Sequence, residues 1–537
     1  MTPQPGAGVA RQPTGGQPGE PPDAPVPEPG APEPSGEELR EAAARGVRWA
    51  SVARPAIEVI QLGSIAVLAR LIVPAEFGRY AVALIAQEVA YVIVAGGLSS
   101  ALVQRRQLRR EHLQSGMALG LLMGIALSGL TLLAAELLVT PIFGARTGFF
   151  VALLAPLCLL SALNTVPLAT LRRRLEFGRL SVIEVLSVLV RVAVAIALAI
   201  AGLGGEALVL GVIASAVALM AGAWLSAPPP PPRLNRAAAR ELLDYGLPAS
   251  LATVTWVGFS NVDYAIIGAR LGALQTGLYF RAYTLAVQYQ SKLGIVMGQV
   301  GFPVLSRTRD PAELARLHHR MVRLLTIVVF PLLVLLAIGA PVLVPFMFGA
   351  RWGAAVAPVQ ILALGGAATL VIDAAGAVLM AKGRARALLG YGAAHFAAYG
   401  ATVLAVVHLG IVAVAIAAAA VHTAFLLVAY VLILRGSNER PVARLRDDLT
   451  PALVSCVPLV AVALPVSVAL SAAHVPAFPW LLALALAAAP PYLLTLRVVF
   501  PAAWRQQRAA LTRVLPVHRR LRVARSRLAE LRLRFSE

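Results

Sequence analysis

The chain has 537 residues, of which 58% are hydrophobic and 14% charged, and its mean hydropathy is +0.77. Soluble chains carry about 25% charged residues, so a water-soluble globular fold is excluded. The formal net charge of +21 would suggest nucleic acid in a soluble protein. Here the arginines sit between apolar runs, a pattern set by membrane topology and not by a nucleic-acid-binding face.

Met1 to Ser35 is rich in proline, glycine and acidic residues without apolar periodicity, which predicts a disordered tail over 1–35. It lacks the basic stretch and apolar core of a signal peptide. A helix is expected from Gly36, with Arg40, Arg45 and Arg48 leading into the first apolar run. Fourteen such runs follow: Trp49–Ile72, Tyr80–Leu102, Ser115–Val139, Phe149–Thr170, Leu180–Ala201, Ala207–Ser226, Leu242–Ile267, Gly277–Leu305, Met321–Met347, Ala354–Ala381, Ala387–Val407, Ile411–Leu434, Thr450–Ala473 and Phe478–Phe500. In lipid each run must satisfy its own backbone hydrogen bonds, so each is read as a helix. The alternating pattern of a membrane β-barrel is absent. The expected fold is an all-α polytopic membrane protein of about 14 transmembrane helices.

Charge tests the topology. The even-numbered loops hold the arginine clusters Arg105–Arg110, Arg172–Arg179, Arg233–Arg240, Arg307–Arg320 and Arg435–Arg446, together with Lys382, Arg384 and Arg386. The odd-numbered loops hold little beyond Arg70, Arg79, Arg146, Arg270 and Arg351. This places both termini in the cytoplasm of a bacterial cell, with the chain in the plasma (inner) membrane.

An internal repeat is visible. Pro141-Ile-Phe-Gly-Ala-Arg146 returns as Pro345-Phe-Met-Phe-Gly-Ala-Arg351, and Gly78-Arg-Tyr80 returns as Gly277-Leu-Tyr279. The offset corresponds to six spans, an even number, so the halves share one orientation about an axis along the membrane normal. The expected units are an N-lobe over 36–226, a cytoplasmic linker over 227–241 and a C-lobe over 242–434. Two further spans over 450–500 and a basic cytoplasmic tail over 501–537 complete the chain. The proline run Pro228–Pro232 is expected to be a stiff extended spacer. The tail, with arginines interleaved by Leu and Val, reads as an amphipathic helix on the anionic leaflet or as a solvated basic extension.

Several loop patterns resemble Wzx-type polysaccharide flippases of the multidrug/oligosaccharidyl-lipid/polysaccharide exporter superfamily. They are Asn261-Val-Asp263-Tyr, Ile267-Gly-Ala-Arg-Leu-Gly272, Gly277-Leu-Tyr279, Arg281-Ala-Tyr283, Phe302-Pro-Val-Leu-Ser-Arg307, Phe348-Gly-Ala-Arg-Trp352 and Leu175-Glu-Phe177. The resemblance covers about Gly46 to Phe500. It implies export of an undecaprenyl-pyrophosphate-linked oligosaccharide by alternating access between two lobes, beside polysaccharide assembly proteins. The N-terminal tail and the basic C-terminal tail lie outside the family's pattern.

A polar head group needs a hydrated, charged path, because charge exposed to hydrocarbon is expensive. Arg54, Glu58 and Gln61 share a face of the first span; Glu184, Ser187 and Arg191 share one of the fifth. In the eighth, Arg281, Gln288, Lys292 and Gln299 form a stripe at helical spacing. Arg54, Gln61, Arg191, Arg281, Gln288 and Lys292 are therefore the candidate lining of a central cavity, suited to pyrophosphate through charge-assisted hydrogen bonds. The competing readings are an Arg54–Glu58 pair within the first span, and Arg281 reaching the interface by snorkelling. Glu58, Glu88, Asp263 and Asp373 are candidates for a coupling cation, H+ or Na+, with structural pairing as the alternative. His395 and His422 read as packed side chains, and no metal-ligand spacing is present. The Phe-Gly-Ala-Arg pair reads as a tight external turn. Cys158 and Cys456 lie in apolar runs, so no disulfide framework is implied.

No Ser/His/Asp set, phosphate-binding loop or cofactor motif is present, so the reading is a transporter and not an enzyme. An ion-coupled drug antiporter and a peptidoglycan-precursor flippase would share the fold. A polyprenyl-phosphate-dependent glycosyltransferase, the alternative from another class, needs carboxylates in a sizeable external loop, and the first external loop offers only Glu76.

Overall fold

The computed structural model describes residues 36–93, 97–105, 108–244, 246, 250, 261–288, 310–382, 384–435 and 440–514. The described chain is helical throughout, as the unbroken apolar runs require. The first half comprises α1 (Gly36–Leu71), α2 (Pro74–Tyr91), α3 (Gly97–Gln104), α4 (Arg110–Ala134), α5 (Thr140–Phe143), α6 (Ala145–Leu154), α7 (Pro156–Arg173), α8 (Phe177–Ile200) and α9 (Glu206–Ser226). Residues 228–235 run without helix, and α10 (236–244) follows. The second half comprises α11 (Val262–Tyr283), α12 (Pro311–Phe348), α13 (Val356–Ala381), α14 (Ala385–Val406) and α15 (Ile411–Leu434). The chain closes with α16 (Pro441–Ala472), α17 (Ala477–Val499) and α18 (Pro501–Val514).

Ten helices among the described residues are long and apolar enough to cross a membrane. They correspond to the expected spans three to six and nine to fourteen. The helices α1 and α2, interrupted by Arg54, Glu58, Gln61 and Glu88, stand outside those ten, and the seventh and eighth spans lie partly outside the described residues. Large apolar side chains such as Leu137, Leu225 and Val468 stand outward, where only lipid could cover them.

Local chemistry sets the helix boundaries. Proline opens α2, where its missing N–H costs nothing and its fixed φ suits the first turn. Asn235 caps α10: its side-chain oxygen accepts from the backbone N–H groups of Ala237 and Ala238, at 3.0 and 3.2 Å. The repeated Phe-Gly-Ala-Arg segments are indeed tight turns. Gly144 and Gly349 sit at φ 88° and 94°, a conformation that disfavours any side chain.

The halves meet along α2 and α11. A Cβ placed on Gly78 would lie 1.8 Å from the Ala273 carbonyl oxygen, and one on Gly277 would lie 1.8 Å from that of Pro74. The contact is reciprocal, so each glycine of the repeat touches the counterpart of its own neighbour, as a pseudo-two-fold axis requires. This crossing lies towards the arginine-poor end. Towards the arginine-rich end the two halves approach again, where a Cβ on Gly97 of α3 would lie 2.2 Å from the Gly246 carbonyl oxygen. Among the described residues the halves therefore touch at both ends. One large core, including Phe77, Tyr80, Phe150, Tyr264, Tyr279 and Trp352, runs through both halves. The pair α16 and α17 packs separately on α12 through Ile327, Phe330, Leu459 and Trp480, and the Tyr492 hydroxyl donates to the Ile327 carbonyl at 2.7 Å.

Candidate functional site

Among the helices of the first half lies a cavity of about 60 Å³. Gln61, Ser64, Ile65 and Leu68 of α1 line one side, with Tyr80 of α2, Arg191, Val192 and Ala195 of α8, and Leu208 of α9. Arg281 of α11 closes it from the other half. Two cations, Arg191 and Arg281, are among the lining residues. Arg191 donates to the Tyr80 hydroxyl at 3.3 Å. Arg281 is 5% exposed and does not snorkel; its guanidinium carbon stands 4.2 Å from the centre of the Phe77 ring and 5.0 Å from that of Phe280.

The structure therefore brings Gln61, Arg191 and Arg281 together from three helices. Arg54 lies two turns along α1 from Gln61, exposed, and Glu58 is half-buried between them. Gln288 is half-buried in the π-helical segment Thr284–Gln288 that follows α11. Lys292 lies outside the described residues.

Asp263, Glu88 and Asp373 are not among the cavity's lining residues; Asp263 and Glu88 both lie near Tyr264, and Asp263 and Asp373 both near Tyr283. Asp263 is buried at the start of α11, where it accepts from the Tyr399 hydroxyl and the Tyr264 backbone N–H, each at 2.9 Å. Tyr279 and Tyr399 bring their hydroxyls within 3.4 Å. Glu88 accepts from Asn261 at 3.0 Å, a bond between the halves. Asp373 is exposed on α13, near Tyr283 and Tyr391. His395 and His422 contact each other and the rings of Tyr399 and Phe425, so both are packed side chains.

Tyr80 was marked in the sequence by the repeated Gly-x-Tyr and not as a cavity residue, whereas Ser64 and the apolar lining carried no signal of their own. Arg146, half-exposed on the first Phe-Gly-Ala-Arg turn, pairs with Glu76 and Glu206, at 3.2 and 2.9 Å, and ties α2, α6 and α9 together.

Comparison with known proteins agrees with this geometry. TuaB, a teichuronic acid biosynthesis protein of Bacillus subtilis (strain 168), is 25% identical over 377 residues, covering 68% of this chain and 76% of the relative. WzxC, a lipopolysaccharide biosynthesis protein of Escherichia coli (strain K12), is 26% identical over 361 residues, covering 64% and 71%. Among solved structures, the lipid II flippase MurJ in an inward closed conformation superposes with a TM-score of 0.68 at 14% identity, covering 84% of this chain and 98% of that one. An inward-facing multidrug resistance MATE transporter of the MOP superfamily gives 0.57 at 14% identity, covering 71% and 96%. These superpositions show a shared all-α transporter fold. The profile of the polysaccharide biosynthesis protein family matches residues 67–357, over half of the chain, and the chain belongs to that family.

Proposed function

We propose that this protein is a flippase that carries a polyprenyl-pyrophosphate-linked oligosaccharide across the plasma membrane for polysaccharide biosynthesis. The observation that carries the reading is a cavity lined by Arg191 of the first half and Arg281 of the second. A pyrophosphate is the part of such a substrate that cannot stay in hydrocarbon, and paired guanidinium groups meet it through charge-assisted hydrogen bonds. The names of TuaB and WzxC, and the fold shared with MurJ, support the same class of cargo. A cavity of about 60 Å³ cannot hold such a head group, so the closed arrangement is one state of an alternating-access cycle. In the others one crossing opens while the lipid tail remains in the bilayer. The arginine distribution places both termini and the Gly97–Gly246 crossing on the cytoplasmic side.

A drug antiporter of the same fold would take cations, for which a cavity lined by buried Arg281 and half-buried Arg191 is a poor host. Energy would come from substrate flux or from a coupling cation, H+ or Na+, at Asp263, Glu88, Glu58 or Asp373; Asp263 is the most enclosed of these.

The test follows the transbilayer distribution of lipid-linked glycan after depletion, comparing the face accessible to a sugar-modifying probe in inverted and right-side-out vesicles. Glycan trapped on the cytoplasmic leaflet, restored by the parent but not by Arg191→Gln/Arg281→Gln, is the expected result. Full restoration by that double variant at normal protein level would remove the cation-lined cavity from the mechanism. Normal distribution with loss of drug tolerance would establish the antiporter reading instead.

A further inference from the structure

The two copies of the Phe-Gly-Ala-Arg turn share one backbone and differ in the residue that follows. Gly144 and Gly349 have φ 88° and 94° with ψ 156° and 164°. Each glycine N–H closes onto a carbonyl four residues back, that of Thr140 at 3.0 Å and that of Pro345 at 2.9 Å. After the arginine comes Thr147 in the first copy and Trp352 in the second. The Thr147 hydroxyl donates to the Phe143 carbonyl of its own turn at 2.9 Å. Trp352 is fully buried and reaches into the other half, where its indole N–H donates to the Ala69 carbonyl at 2.9 Å. Phe77 of the first half and Phe348 of the second hold its ring, at centroid distances of 5.4 and 5.7 Å. In return, the Arg70 guanidinium of the first half donates to the Phe346 carbonyl of the second.

Both acceptors lie in the last turn of a helix, Ala69 in α1 and Phe346 in α12, where carbonyls have no partner within their own helix. Each half thus caps a helix end of the other. The repeat-related flank is built differently. Ala269 and Arg270, the counterparts of Ala69 and Arg70, are both exposed, whereas Ala69 is buried. What meets there is the Phe143 ring and Gly268, whose added Cβ would lie 3.0 Å from that ring, an apolar contact that parts without stranding a polar group.

We infer that Trp352 and Arg70 are positioning residues that latch the outer side of the carrier shut along one flank of the pseudo-two-fold axis. This rests on the alternating-access reading above. When the Gly78–Gly277 crossing parts, the halves separate at their outer ends and both carbonyls lose their donors. An acceptor left unmade in a buried place costs more than an exchanged hydrogen bond gains, so the latch resists the first step of separation, before water reaches the two carbonyls. Its strength comes from helix-end geometry and does not depend on what occupies the cavity.

The test measures distances between spin labels at Leu203→Cys and Leu409→Cys, exposed positions in corresponding outer loops of the two halves. Cys158 and Cys456 are replaced by alanine, and the purified full chain is held in lipid nanodiscs without ligand. Trp352→Phe, which keeps a ring but loses the N–H, should raise the ratio of long to short distances about fivefold, the effect of roughly one net hydrogen bond. Arg70→Gln should shift the ratio in the same direction, so the test survives if Trp352→Phe fails to fold. Thr147→Val, the matching change on the other flank, should leave the parental distribution. An unchanged distribution in both Trp352→Phe and Arg70→Gln, or an equal shift in Thr147→Val, would overturn the latch. If depletion still trapped glycan on the cytoplasmic leaflet, the flippase reading would stand without it; unchanged distances together with a normal glycan distribution would overturn both.

Discussion

Adjacent carboxylates on α16 show how far burial separates residues that look alike in sequence. The Asp447 side chain is 58% exposed and that of Asp448 is fully buried. Asp448 accepts from the Tyr430 hydroxyl at 2.6 Å, pairs with His319 and lies 3.7 Å from Arg444 Nε. Arg444 also donates to the Ala315 carbonyl at 3.0 Å. This knot joins α12, α15 and α16 where helix ends would otherwise leave polar groups in a low-dielectric surrounding. Asp448→Ala should destabilise the protein by about 3 kcal/mol, the low end for breaking a buried pair, because it takes the carboxylate acceptor from the buried Tyr430 hydroxyl and from half-buried His319 and Arg444. Tyr430→Phe removes one hydrogen bond to a charged group and should cost about 1.5–3 kcal/mol. Thermal unfolding in detergent checks both, and an unchanged midpoint for Asp448→Ala would refute the structural role. None of this was legible in Arg444-Leu-Arg-Asp-Asp448, which reads as a solvated charged loop; the fold alone decides which of two aspartates turns inward.

At the level of elements, α2 and α11 cross where neither can carry a side chain. Gly277→Ala would drive a methyl group into the Pro74 carbonyl, so the helices must part, with an overpacking cost of about 1–3 kcal/mol. Gly63 in α1 has open space around it, and there alanine should be neutral or stabilising by up to about 1 kcal/mol through helix propensity. Melting curves of Gly277→Ala and Gly63→Ala, run side by side, separate the two cases. Equal behaviour would mean that the crossing carries no strain. The repeated Gly-x-Tyr was visible in the sequence, but a repeat cannot say that its two copies touch.

For the whole molecule, the arginine-rich side has its own clasp. Arg105 and His112, from the first half, both bond Glu241 on α10, the His112 contact at 3.3 Å. These bonds, His112 first and then Arg105, hold the Glu241 carboxyl below its ordinary range. A depressed carboxylate stabilises above its unfolded-state pKa, about 4.3, and that stabilisation is lost as pH falls through the lower folded value. Hydrogen exchange over 236–244 should therefore stay slow from neutral pH down to that range and accelerate below it. Glu241→Gln should show the accelerated rate already at neutral pH. High salt should act in the same direction, since the pair is partly exposed and screened. A rate that ignores both pH and Glu241→Gln would show that the clasp does not hold α10.

The sequence by itself determined the membrane fold, its helical class and the charge asymmetry between its two ends, because hydropathy and backbone satisfaction in lipid leave no alternative. It also singled out Gln61, Arg191 and Arg281, since a charged residue inside an apolar run needs a reason to be there. Helical periodicity then put each on a face without saying what the face meets. Only the tertiary structure decided that these three share one cavity and that Asp263, Glu88 and Asp373 gather instead around Tyr264 and Tyr283. Periodicity is local to one helix, whereas a cavity is made by the angle and depth at which several helices cross, and those are set by packing between residues far apart in the chain.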